Sequence, residues 1–243
     1  MEDVMRLIAL LALVPLAACS GAARSEDAPD NSPKGSRTFA VDQFSAVNSA
    51  GPDDVDVRVG PGFSVRAEGS QKVLDALEIT REGNSLKIRR KNDSGFHWGG
   101  SDRGAKIYVT MPRMTAASMT GSGDMTVDKV SGDAFAANST GSGDLSIGTL
   151  NVVSATLSVT GSGGLKVAGT AKTGNFSIAG SGDIDAPQFK SSSASVSVLG
   201  SGSVSAAVAG TANVNSMGSG DVTLTGGAKC TTSKAGSGDV NCS

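Results

Sequence analysis

The chain has 243 residues, of which 33 are glycine, seven proline and only nine aromatic (seven Phe, one Trp, one Tyr). Glycine at about twice its usual share, with little proline and no strict three-residue period, excludes collagen, and so few large side chains leave a thin core. A formal charge of -2, one His and three Cys leave no basic footprint for nucleic acid and little imidazole chemistry.

In chain order, the first element is an apolar run from Leu7 to Ala18 (LIALLALVPLAA). It is too short to cross a bilayer as a helix, which needs about twenty residues. Residues 1–18 are therefore expected to be a signal peptide. Glu2 and Asp3 stand where positive charge is expected, so Met5 is the better start, with Arg6 alone before the run. Leu16-Ala17-Ala18-Cys19 resembles the bacterial lipoprotein box, which makes Cys19 the expected acylation site and the membrane a partner through that lipid anchor. Two or three acyl chains hold stably where one is marginal. Ser20 and Gly21 after the cysteine resemble the outer-membrane destination signal and imply an outer-membrane lipoprotein, facing the periplasm or the cell surface. Residues 19–38 are small, polar and Pro-containing, and are expected to be a flexible tether.

From residue 39 to 112 the chain is richer in basic and aromatic residues, and alternation persists in Val55/Val57/Val59, Phe63/Val65/Ala67, Leu86/Ile88 and Ile107/Val109/Met111. Gln71 to Leu77 (QKVLDAL) reads as one helical turn or a wide bend. Lys91 to Gly104 is a glycine-rich excursion holding the single His and the single Trp. This stretch is expected to be the irregular, capping start of the structure that follows.

From residue 113 to the end one unit is copied. Gly-Ser-Gly begins at Gly121, Gly141, Gly161, Gly180, Gly200, Gly218 and Gly236, at intervals of 20, 20, 19, 20, 18 and 18 residues. Four and six residues after each first glycine come apolar pairs such as Met125/Val127, Leu145/Ile147 and Val222/Leu224, separated by polar residues. Before the triplets, Leu157/Val159, Phe176/Ile178 and Val196/Val198 alternate with serine. A weaker inward column is expected at plus nine: Val130, Leu150, Thr170, Phe189, Ala209 and Gly227. Strands this short with one apolar face gain stability only by stacking, at about 4.8 Å per copy. The expected fold is all-β: a parallel β-solenoid (β-helix) of about 19 residues per rung with three faces, occupying residues 39–243. Flexible Gly-Ser linker lacks such apolar columns, and an antiparallel sandwich has no need of identical corners at near-constant spacing.

The lipoprotein box, the tether, DVDVRVGPGFSVRAEG, LEITREGNSLKIRRK, the Ile-x-Val strand ending at Pro112 and the Gly-Ser-Gly-Asp rungs together resemble the bacterial head-GIN-domain family of auto-transporter adhesins. The resemblance spans about residues 39 to 243. It implies a right-handed, pectate-lyase-like β-helix, in keeping with the right-handed crossover rule. It carries over no catalytic or binding residue. With Ser243 directly after the last rung, the chain is not expected to be a complete autotransporter.

Candidate chemistry is sparse. Cys230 and Cys242 lie on inward columns of the last rung and are a candidate disulfide sealing the rod end. The Asp after five of the triplets suggests a carboxylate column, and bonding within the turn is favoured over a Ca²⁺ ladder because the nine-residue calcium pattern is absent. Outward pairs such as Thr156/Ser158, Asn175/Ser177 and Asn213/Asn215 make a small-polar face suited to glycans or ordered water, or simply to solvent. Phe96, His97 and Trp98 are a candidate glycan contact, with burial of Trp98 as a loop anchor the plainer alternative. No metal-ligand spacing, no cofactor motif and no catalytic constellation is found. The sequence points to a lipid-anchored, non-catalytic envelope module, structural or adhesive, with surface glycans or another envelope protein as partners. The alternative is a carbohydrate-active enzyme or glycan-binding sensor on a β-helix.

Overall fold

The structure is a computed structural model that describes residues 34–91 and 104–243. Strands β1 (Lys34–Phe39), β2 (Ala46–Gly51), β3 (Asp54–Val59) and β4 (Ser64–Ser70) precede helix α1 (Gln71–Ala76). After it come β5 (Leu77–Glu82), β6 (Ser85–Arg90), β7 (Lys106–Met111) and β8 (Ala116–Gly121). Five long strands follow, β9 (Met125–Gly141), β10 (Leu145–Gly161), β11 (Leu165–Gly180), β12 (Ile184–Gly200) and β13 (Val204–Gly218), and then β14 (Val222–Thr225), β15 (Lys229–Gly236) and β16 (Val240–Cys242).

From β8 onward, every strand pairs in parallel with the one a rung away, which is the parallel β-solenoid expected from the repeat. The first glycines of all seven triplets stand in one row, each opposite the next, and Gly51 extends that row by one rung. Two separate causes make the corner glycine. At Gly141 φ is +117°, a region that a side chain disfavours. At Gly143 φ is ordinary, yet a Cβ would stand 2.0 Å from the carbonyl oxygen of Gly123 in the rung above. Stacking, rather than turning, forbids a side chain there.

Burial along β9 shows three inward faces: Met125 and Val127, then Val130, then Phe135, Ala137 and Ser139. Exposed residues at 128–129 and 131–134 mark the two other corners. Unequal rung lengths are absorbed there, as register shifts between Ile147 and Leu150 and between Lys166 and Gly169, while the Gly-Ser-Gly row stays aligned. The plus-nine column is consequently only partly as expected. Val130, Leu150 and Phe189 are buried, but Thr170, Ala209 and Gly227 are exposed, and the shortened rungs bury Ala171 and Val208 instead. Phe176 and Phe189, from adjacent rungs, meet edge to face with ring centroids 6.1 Å apart and fill the middle of the rod. Gly174 leaves room for this, since a Cβ there would lie 2.8 Å from the Phe176 ring.

The N-terminal part is an irregular cap, and its rungs do not follow chain order. β2 pairs with β8 on one side and β6 on the other, and β3 likewise with β9 and β7. The first rung of the chain is therefore sandwiched between the second and the third. Beyond β6 and β7 the stacking turns antiparallel: β5 covers β6, and β4 covers β7. Residues 34–38, expected in the tether, instead form β1, which pairs antiparallel with β4. Backbone pairing to an available edge orders this polar segment without an apolar pattern of its own, and the Arg37 guanidinium donates to the Leu74 carbonyl at 3.3 Å. The one-turn alternative holds for Gln71–Ala76, with Leu77 already extended at the start of β5: Ser70 caps α1, its hydroxyl accepting from the Val73 N–H.

Candidate functional site

The rung that ends at Gly-Ser-Gly presents alternate residues outward, and register stacks them into three columns. The column nearest the corner holds Thr120, Thr140, Thr160, Ala179, Leu199 and Met217. The middle one holds Ser118, Asn138, Ser158, Ser177, Ser197 and Asn215. The third holds Ala116, Ala136, Thr156, Asn175, Ser195 and Asn213. Ala46, Asn48 and Ala50 continue the columns above, and Thr231, Ser233 and Ala235 below. Eight rungs at about 4.8 Å make a face about 34 Å long, with columns about 7 Å apart.

No side chain in these columns is charged. Leu199 and Met217, side by side in adjacent rungs, are 53% and 48% exposed. Beyond the upper end β5 and β6 carry the pairs Lys87–Glu82 and Arg89–Glu78. The outward Ser, Thr and Asn foreseen in the sequence are thus brought into register, but the apolar stretch of the corner column was not foreseen. Its signal was available in the residue preceding each triplet.

Around the corner lies a shallow concavity of about 480 Å³, lined by Asp144, Asp183, Asp185, Asp221 and Lys166 among others. Four of the five carboxylates after the triplets are engaged in the stacking itself. Asp124 accepts from the N–H of Asp144 at 2.9 Å, Asp144 from Gly164 at 2.7 Å, Asp183 from Ser203 at 2.7 Å and Asp221 from Asp239 at 2.8 Å. The bond runs to the next rung rather than within the turn. Among the described residues no group of His, Cys, Asp and Glu is placed to hold a metal ion.

At the cap, the Asp53 carboxylate is buried, takes two hydrogen bonds from the Arg90 guanidinium at 2.8 and 3.0 Å, and accepts from the Ala105 N–H at 2.7 Å. Arg90 and Ala105 flank the excursion, so the pair ties both of its ends to the corner at Gly51–Asp53. Phe96, His97 and Trp98, as well as Cys19, lie outside the described residues. Cys230 and Cys242 are joined by a disulfide with their Cα atoms 6.5 Å apart. No helix among the described residues is long and apolar enough to cross a membrane.

The sequence profile described as "Putative auto-transporter adhesin, head GIN domain" matches residues 43–228. A search of curated proteins finds no match. Among solved structures, a "putative adhesin" from Bacteroides fragilis superposes with a TM-score of 0.77 at 17% identity, covering 87% of this chain and 97% of its own. A "putative lipid binding protein" from Parabacteroides distasonis gives 0.69 at 23% identity, covering 88% and 98%. A "putative adhesin" from Parabacteroides merdae gives 0.67 at 15%, covering 88% and 97%. At these identities the likeness is one of fold.

Proposed function

The chain belongs to the head GIN domain family of auto-transporter adhesins, and from that premise we propose that it is a non-catalytic envelope module, lipid-anchored through Cys19, that attaches to neutral surface polymers through its uncharged face. One observation carries this reading. The other faces of the same rungs expose Asp128, Lys129, Lys166, Asp185 and Lys190, whereas the three columns run through eight rungs without a charge. Repulsion and desolvation of ions are then absent when a neutral, hydroxyl-rich partner lies along the rod, and Ser, Thr and Asn supply donors and acceptors at a regular spacing. The exposed Leu199 and Met217 add apolar contact at one edge.

A carbohydrate-active enzyme would use the concavity around Asp144, Asp183 and Asp185. Against that use, Asp144 and Asp183 each have an oxygen bonded to a backbone N–H, and Asp185 accepts from the Ser205 hydroxyl at 3.1 Å. The test is binding of the full chain to whole cells and to arrayed glycans, with a fluorescent protein as control. Retention on uncharged polysaccharide or on cells is the expected result. Failure to bind any surface, together with measurable polysaccharide cleavage, would overturn the reading in favour of the enzyme.

A further inference from the structure

The last rung is hydrogen-bonded like the rungs above it but is far less buried. β15 and β16 pair with β13 and β14 along one edge, but nearly all of β15 is exposed. Where the preceding rung turns Ala212, Val214 and Ser216 inward, this one has Cys230, Thr232 and Lys234. Lys234 lies 3.7 Å from Asp239. Gly226 and Gly227, with φ of +99° and +82°, join β14 to β15 at the start of this rung. Its covalent link, the Cys230–Cys242 disulfide, closes the rung on itself and does not tie it to the rung above.

A bridge across twelve residues favours the ordered rung by about a hundredfold, by restricting the open chain. The rung keeps the ladder and corner hydrogen bonds to β13 and β14, but with so little apolar burial these hold it weakly, and the restriction adds to them. We propose that residues 227–243 form a redox-locked terminal rung, and that opening the bridge frees the β13–β14 edge to take a second copy of this chain. Reduction by a dithiol breaks the Sγ–Sγ bond with two electrons, puts one proton on each cysteine sulfur, and leaves the dithiol as its own disulfide.

The vacated edge would expose the backbone of β13 and β14 and the now buried Val214, Val222 and Leu224. It is selective. Whatever stacks there must have no side chain opposite Gly218 and Gly220, where Cβ atoms at Gly236 and Gly238 would meet carbonyl oxygens at 1.9 and 2.1 Å. The released rung of another copy satisfies both positions, so the partner is a second copy that exchanges its terminal rung.

The test uses the full chain in detergent: bridged, reduced with a dithiol, and as the double variant Cys230→Ala/Cys242→Ala. Hydrogen exchange at residues 229–242 is expected to accelerate by about a hundredfold in both unbridged forms, with residues 121–218 unchanged. Differently tagged copies should then co-purify only when unbridged, and Gly236→Ala in both copies should abolish it. Equal protection with and without the bridge would overturn the proposal. So would loss of protection with the tagged copies remaining separate. Neither outcome depends on attachment through the uncharged face.

Discussion

The N–H of Asp144 donates to Oδ1 of Asp124, 2.9 Å away and one rung above, at the same point of the repeat. The Asp54 carboxylate begins this ladder by accepting from the Asp124 N–H at 3.0 Å. The Ser142 and Gly143 N–H groups both reach the Gly121 carbonyl. The next N–H, on Asp144, is left to a side chain. Aspartate thus recurs as an acceptor for the following rung.

Replacing Asp144 with Ala removes the acceptor for the Gly164 N–H, and a loss of about 1 kcal/mol is expected in chemical denaturation. Asp144→Asn keeps an acceptor oxygen and should lose much less. Equal losses would make the effect one of charge rather than of hydrogen bonding.

Gly143→Ala and Gly62→Ala separate stacking from turning. Gly62 has φ of +82° with open space around it, so alanine there should cost about 1–2 kcal/mol. A Cβ on Gly143 would overlap the Gly123 carbonyl of the rung above, so this variant should lose several times more stability or fail to accumulate. Similar losses would mean that rung contact does not dictate the corner.

Arg90→Ala leaves the Asp53 carboxylate buried with only the Ala105 N–H. Breaking a buried pair this way is expected to cost about 3–5 kcal/mol. Thermal denaturation, with hydrogen exchange at residues 45–59 and 104–111, should place the loss in the cap. A surface-like change below 1 kcal/mol would contradict the role assigned to the pair.

Cys19→Ser should abolish incorporation of labelled acyl chains and release the chain from membranes on fractionation. Unchanged membrane association would dispose of the anchor.

Much of the rod was legible because its constraint is repeated: the positive φ and the close carbonyl at each corner demand glycine, and spacing alone aligns Gly121 through Gly236. The cap was less legible. Its first corner is Gly51-Pro52-Asp53-Asp54, which shares only the first glycine and the aspartate with Gly-Ser-Gly-Asp, yet Gly51 stands opposite Gly121. Sequence order then suggests stacking order, which the antiparallel cover by β4 and β5 reverses. Thr170 and Ala209 were misplaced because register slips at a corner with no sequence marker. The pairing of Arg90 with Asp53 joins residues 37 apart and has no local signal.

The most direct measurement of the central claim places charge on the uncharged face. Ser177→Lys/Ser197→Lys sits in the middle column, and Ser146→Lys/Ser205→Lys sits on the neighbouring face as its control. With folding checked by thermal denaturation, adsorption of the full chain to uncharged polysaccharide and to whole cells should fall at least tenfold for the first pair and stay unchanged for the second. Equal adsorption by both would contradict attachment through the uncharged columns.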